Sequence, residues 1–588
     1  MHRSIAGRLW FLMTTSERRG AVGLVGLMFV GMLLETLGIS LVLPALALMT
    51  RDDLLARSPR FARFIVWLGN PSREKLVAGG MLTLAAVSMV RGMFLSFLAW
   101  SQLRFVHQLQ TQISQRLFAA YLHQPYTFHI QRNSAQLIRN ALGDVDLITH
   151  HGILQSLNFL AEVLAVCGIC ALLVCVEPLG AIVSIGTIVV VGWVFAHLTR
   201  HRISLWSKER QYHEGMRIQH LQQGLGGVKE VKLLGRELQF IERYRMHTRA
   251  SARATQRNQL MQQLPRLALE TLAMIALAAL VIAMIGQHRP VQALVPTIGV
   301  FAAAAFRMMP SANRIIAATQ SMRFAAPVVG TLADEVEAFG PSPVAERAVQ
   351  LPFERCLSVE DVEFHYPGTS GPALQNITLT IQAATSVGVI GGSGAGKSTL
   401  VDVILGLLSP QHGRILVDGV DIRGNLRGWQ SSIGYVPQHI YLSDDTLESN
   451  IAFGLPADEV DETAVRRALR AAQLEEFVAQ LPEGLQTKVG ERGVRLSGGQ
   501  LQRIGIARAL YHNPRVLVLD EATSSLDIAT ERGVMDAVRA LHGSRTVIIV
   551  THRLSTVEHC DRVYRLESGR IVAEGKPAEM TRMVAGPS

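Results

Sequence analysis

Residues 391–399 are Gly391, Gly392, Ser393, Gly394, Ala395, Gly396, Lys397, Ser398 and Thr399, and they follow the apolar stretch 387–390. A glycine-rich turn leaving a buried strand lets backbone N–H groups close around phosphate oxygens. The spacing G-x-x-x-x-G-K-S is that of a phosphate loop. In such a loop Lys397 reaches the outer phosphates of a nucleotide and Ser398 holds Mg²⁺. A structural glycine turn is the alternative reading of this element alone. A second element is Val516-Leu517-Val518-Leu519-Asp520-Glu521. Four apolar residues form a buried strand that delivers two carboxylates at its end. Asp520 can hold the metal, directly or through water. Glu521 is placed to polarise an attacking water as a general base. Taken singly, this pair could also close an ordinary strand.

The elements that must position these residues follow from periodicity. Beyond Gly340-Pro341-Ser342-Pro343, which reads as a linker, short β-branched runs alternate with helical stretches. That alternation predicts an α/β domain over 340–588. Residues 1–339 have another character. Of the whole 588-residue chain, 49% is apolar. Six apolar runs, at 21–49, 76–100, 154–176, 179–198, 267–285 and 291–319, can each cross a hydrocarbon core, which needs roughly 20 residues. The first is too long for a cleaved signal peptide and reads as a retained span. The connections after the second and fourth spans are long, polar and helix-like. Those after the third and fifth are very short. The stretch 200–266 is dense in Lys and Arg, which places it in the cytoplasm and, with six spans, both termini as well. The loop after the first span faces outside. In it Phe61, Phe64, Ile65 and Leu68 follow helical spacing, as in an amphipathic helix on the outer leaflet or a surface helix packed on the protein.

The net charge of +10 is accounted for by cytoplasmic basic loops, so no nucleic-acid partner is expected. The five cysteines give no disulfide framework. Cys167 and Cys170 form a C-x-x-C inside an apolar run with no second pair, which does not make a metal site.

Leu496-Ser497-Gly498-Gly499-Gln500 stands shortly before the carboxylate strand. With this element the chain resembles the ATP-binding-cassette family, for which that pentapeptide is the signature. The resemblance extends in order to Tyr366, matching the aromatic that stacks on adenine. It includes Gln438, matching the glutamine that senses Mg²⁺ and water. Asp527, in Ser525-Leu526-Asp527, matches the dimer-contact loop, and His552 the γ-phosphate switch. It implies ATP and Mg²⁺ as cofactors. It implies an exporter-type membrane domain of six helices, joined to a P-loop ATPase of the ABC type. It also implies head-to-tail pairing, with each ATP between one copy's phosphate loop and the other's signature. One copy of each motif is present, so the chain resembles a half-transporter. A homodimer is the simplest arrangement.

Three arginines interrupt the apolar runs. Arg91, Arg307 and Arg266 fall about 22, 24 and 29 Å from the outer face at the helical rise, in the inner half of the bilayer. Intramembrane charges tend to be functional, and arginine is a strong phosphate ligand. The structural alternative is that Arg266 snorkels to the interface and the other two pair with Glu270 or Glu35. Glu35-Thr36-Leu37-Gly38-Ile39, Pro125-Tyr126-Thr127-Phe128-His129, Gly226-Gly227-Val228-Lys229-Glu230 and Phe306-Arg307-Met308-Met309-Pro310 look like bacterial lipid-linked oligosaccharide flippases. That resemblance implies an inner-membrane protein carrying a polyprenyl-diphosphate-linked saccharide or a similar anionic glycolipid. Export of hydrophobic drugs or peptides is the alternative. It also makes 125–140 and 217–237 the cytoplasmic coupling segments that touch the ATPase. No peptidase domain precedes the first span, which points away from export of processed peptides.

Overall fold

The computed structural model describes residues 5–50, 73–176, 178–286, 291–339, 349–369, 371–490, 493–522 and 528–580. The segment carrying Phe61 to Leu68, the linker 340–343 and Asp527 lie outside the described residues. The chain divides into two compact units. One is Met1–Gln124 with His129–Pro343; the other is Pro125–Phe128 with Val344–Ser588.

The first unit is helical. A short α1 (Ile5–Leu12) precedes α2 (Thr15–Thr50) and α3 (Arg73–Leu122). Two short helices follow, α4 (Tyr126–Gln131), whose residues up to Phe128 are grouped with the second unit, and α5 (Ser134–Arg139). Two π-helical segments, Asn140–Asp144 and Ile148–Ile153, then lead into α6 (Leu154–Val176). After it come α7 (Pro178–Gly226), α8 (Val228–Leu233), α9 (Glu237–Gly286) and α10 (Val291–Phe339). Each expected span falls inside one long helix. Three helical stretches, Thr15–Gly38, Val77–Leu122 and Ser134–Leu172, are long and apolar enough to cross a membrane among the described residues.

The helices continue well past the apolar runs, and the sequence shows why. On α3, Leu98, Gln102, Val106, Leu109, Ile113, Leu117 and Tyr121 are buried, at steps of three and four residues. That stripe gives the polar extension one packed face. On α10, Met308, Ala312, Ile316, Phe324, Val328, Leu332 and Glu335 are likewise buried. Helix α7 packs against α9 and α10, α6 against α2 and α10, and α2 against α3.

The second unit holds two sheets. An antiparallel sheet is formed by β1 (Cys356–Phe364), β2 (Leu374–Gln382), β4 (His412–Val417) and β5 (Val420–Asp421), in the order β2-β1-β4-β5. The Asp418 carboxylate accepts the N–H groups of Glu354, Arg355 and Cys356 at 2.7, 2.9 and 2.8 Å, tying the start of β1 to the β4–β5 turn.

The second sheet contains β3 (Ser386–Ile390), β6 (Ile433–Val436), β7 (Val516–Asp520), β8 (Thr546–Thr551), β9 (Arg562–Glu567) and β10 (Arg570–Gly575), in the order β10-β9-β3-β8-β7-β6. All but β10 run parallel to their neighbours. Strands β3, β7 and β8 are buried at every position, as parallel strands covered on both faces must be. Alternate residues serve opposite sides. Leu517, Leu519, Val547 and Ile549 join one core, and Val516, Val518, Ile548 and Val550 the other. Because β3, β8, β7 and β6 are adjacent and parallel, their C-terminal ends share one crest of the sheet, where ligands bind in open α/β sheets.

Candidate functional site

That crest carries the phosphate loop. It leaves β3 and enters α11 (Lys397–Ile404) through Gly396, whose φ is +98°. A Cβ on Gly396 would stand 2.8 Å from the Ala373 carbonyl oxygen, so only glycine fits the turn. Lys397 is buried. Its Nζ donates to the carbonyls of Gly391 and Gly392, both at 3.0 Å, and lies 3.5 Å from Glu521 Oε1.

Glu521 follows β7 with φ +49°, a left-handed conformation uncommon for this residue type, and its N–H donates to Val550 O at 2.8 Å. The turn presents its carboxylate to three of the residues singled out by sequence. Besides Lys397, Gln438 Nε2, just past β6, donates to Glu521 Oε2 at 3.1 Å. His552 Nδ1, just past β8, lies 3.5 Å from Oε1. The Tyr366 ring stands edge-on to Phe364, and its hydroxyl is 3.2 Å from Thr399 Oγ1. A cavity of ≈ 710 Å³ opens here, lined by Tyr366, Ser393, Gly394, Gly396, Lys397, Ser398, Thr399, Gln438 and Glu521.

The electrostatics suit a cation. Burial, and then the neighbouring Glu521 carboxylate, raise the pKa of Asp520 against the opposing pull of Lys397 and of the Ser398 and Tyr435 hydroxyls. Its Oδ1 is buried without a hydrogen-bond partner. A divalent ion beside Asp520 and Ser398 would give that oxygen the partner it lacks and reverse the charge balance. Asp402 is pushed up to about 6 by burial and by Asp520.

Some cavity residues were not foreseen. Gly371, Gln375, Ser568 and Gly569 also line it. Gly569 has φ +76°, and its N–H donates to Ala395 O at 3.0 Å, bracing the phosphate loop from the β9–β10 turn. The Ser-Gly pair between two β-branched runs was a turn signal, but nothing local tied it to the loop. The signature residues stand elsewhere. Ser497 caps α12 (Gly498–Tyr511) in a reciprocal box with Gln500. Among the described residues, Ser497, Gly498, Gly499 and Gln500 are not in the lining of this cavity.

In the helical unit, Arg91 lies against Gly38, with Nη1 3.5 Å from where a Cβ would be, and its Nε is buried without a partner. Arg266 pairs with Glu270 at 2.8 Å. Both line a cavity of ≈ 580 Å³ with Leu269, Met309, Pro310, Asn313 and Arg314. Arg91 is not part of that lining. Arg307 is in α10, and its side chain lies outside the described set. Arg314 was missed, although it follows Arg307 by seven residues and so shares its helix face. It pairs with Glu162 of α6 at 2.6 Å.

Residues 374–524 match the ABC transporter family, and residues 60–306 match the ABC transporter transmembrane region. A relative from Thiobacillus denitrificans, called ATP-dependent lipid A-core flippase, is 30% identical over 586 residues, covering 98% of this chain and 96% of its own. Proteins of the same description from Chromobacterium violaceum and Cupriavidus metallidurans are 31% and 32% identical, each covering 84% of both chains. A solved structure described as a bacterial Atm1-family ABC exporter with ATP bound shares the fold, with TM-score 0.78 and 24% identity over 96% of each chain. A phosphate loop and a carboxylate pair on one sheet crest, in a chain whose relatives match it almost end to end, belong together: the chain is a member of the ATP-binding-cassette transporter family, a membrane-spanning exporter with an ATPase coupled to transport.

Proposed function

We propose that the protein is a homodimeric flippase that moves an anionic glycolipid from the inner to the outer leaflet of a bacterial cytoplasmic membrane. Residues 1–339 form the membrane domain, and 340–588 the nucleotide-binding domain. Both termini are cytoplasmic. The observation that carries the cargo class is the cavity shared by Arg266 and Arg314 in the helical unit. Two guanidiniums there suit a phosphorylated head group, and the buried, unpartnered Asn313 Oδ1 suits a sugar hydroxyl. Relatives described as lipid A-core flippases carry a cargo of this chemical class. A polyprenyl-diphosphate-linked saccharide shares it. Arg91 and Arg307 complete the set of basic residues offered to the phosphates.

ATP binds with Tyr366 against its base. The backbone of 391–399 and Lys397 surround its phosphates. Ser398, Gln438 and Asp520 would hold Mg²⁺, which neutralises developing phosphate charge. Glu521 accepts a proton from the attacking water, and His552 lies beside the carboxylate to follow the γ-phosphate. Ser497, Gly498, Gly499 and Gln500 of the second copy, with Asp527 at the contact, close the site. ATP binding closes the dimer and hydrolysis reopens it.

The test is flipping in proteoliposomes, with lipid A-core and a fluorescent polyprenyl-diphosphate oligosaccharide as separate cargoes and the Glu521→Gln variant as control. ATP-dependent movement of either cargo by wild type alone supports the reading and identifies the class member. Export of a hydrophobic dye with neither glycolipid moved replaces it with drug or peptide export.

A further inference from the structure

Outside the nucleotide site, one buried carboxylate holds several elements together. The Glu335 side chain, near the end of α10, is 6% exposed. Its Oε1 accepts from Arg132 Nη1 at 2.7 Å. Its Oε2 accepts from Asn140 Nδ2 at 2.9 Å and from the Tyr121 hydroxyl at 3.2 Å. Tyr121 ends α3, Arg132 lies between α4 and α5, and Asn140 opens the first π-helical segment. The chain of contacts continues. Asn140 Oδ1 accepts from Arg139 Nη2 at 2.7 Å, Arg139 Nε lies 3.3 Å from Asp144, and Asp144 accepts from Gln211 of α7 at 3.1 Å.

A buried carboxylate is not a cheap way to pack helices, because apolar residues of similar volume would do so without desolvating a charge. What a satisfied polar network supplies is one specific arrangement of its members. The site chosen is also distinctive. The π-helical turns beside it are rare and cluster at functional places in helices. The first begins at Asn140, the last residue of the segment 125–140, and the second at Ile148.

We propose that Glu335 is a positioning residue for coupling. Its carboxylate clasps residues 132–140 to the ends of α3 and α10, so that a displacement of 125–140 moves both long helices together. The proposal rests on the transport-coupled ATPase and on 125–140 as a coupling segment, and it does not depend on the cargo.

The test therefore uses no cargo. Full-length protein, with its five native cysteines replaced, carries spin labels at Leu82→Cys on α3 and Val189→Cys on α7, both exposed. Distances are measured in nanodiscs with and without ATP and vanadate. Glu335→Gln and Arg132→Met are expected to hydrolyse ATP within about twofold of the parent. Their nucleotide-driven distance change falls to about half or less. Arg132 is partly exposed, so its variant keeps the test open if Glu335→Gln fails to fold. A full distance change in the variants overturns the proposal. So does a parallel loss of ATPase rate and melting temperature with the distance change intact per molecule turned over, which would mark Glu335 as a packing residue.

Discussion

At the scale of single residues, Glu521 is the point on which the nucleotide site converges. Lys397, Gln438 and His552 all approach its carboxylate, and its left-handed backbone aims it there. Glu521→Gln keeps shape and removes the base. Phosphate release is expected to fall by about 10²-fold or more while ATP affinity is retained, as read by fluorescent-nucleotide titration. Turnover at the parent rate would place the base elsewhere. In the helical unit, replacing Arg266 and Arg314 together by Gln removes both cations from one cavity. The glycolipid concentration for half-maximal flipping should rise about tenfold, equivalent to about 1.4 kcal/mol. Transport of a neutral dye would not follow that rise. A glycolipid response like the parent's would reduce both arginines to structural ion pairs with Glu270 and Glu162.

At the scale of elements, small turns decide how the strands meet. Burial pulls the pKa of Asp418 up, but the backbone N–H groups of Glu354, Cys356 and Arg355 prevail, and the net shift is downward. A carboxyl lowered in the folded state contributes stability above its ordinary range and loses it as pH falls through the folded value. Asp418→Asn is therefore expected to cost about 1–2 kcal/mol at neutral pH. The difference in melting temperature should narrow below about pH 4. Gly569→Ala tests the brace on the phosphate loop. Its Cβ would meet Ala373 O at 2.6 Å in a left-handed conformation, so ATP affinity should drop together with the melting temperature. Both features show where sequence stops being legible. The phosphate loop and the carboxylate pair are read from residues that are neighbours in the chain. Gly569 reaches Ala395, Arg314 reaches Glu162 and Glu335 reaches Asn140 across long stretches of chain, and no local spacing encodes such pairings. The long helices were legible because each apolar run of about 20 residues falls inside one of them, and three stretches among the described residues are long and apolar enough to cross a membrane. The distance the helices run beyond the spans was legible only as helix-like polar stretches.

At the scale of the whole molecule, a half-transporter that pairs head to tail has a distinctive complementation pattern. Lys397→Ala breaks a phosphate loop, and Ser497→Arg breaks a signature. Each variant alone should be inactive. Co-expressed, they should form dimers in which one composite site is intact, and a measurable fraction of ATPase activity should return. Absence of recovery, in dimers verified by tagged co-purification, would exclude sites shared between copies. The expectation of such pairing comes from the resemblance to cassette ATPases and from the single copy of each motif in the chain. The length of the helices adds a mechanical consequence. Helices α3 and α9 have 50 residues each, or about 75 Å of rod against a hydrocarbon core of about 30 Å. A rod of that length turned by about 5° at one end sweeps the other through about 6.5 Å. A lever of this length turns a small rotation at one end of a helix into a displacement of several ångströms at the other, with no helix needing to unwind.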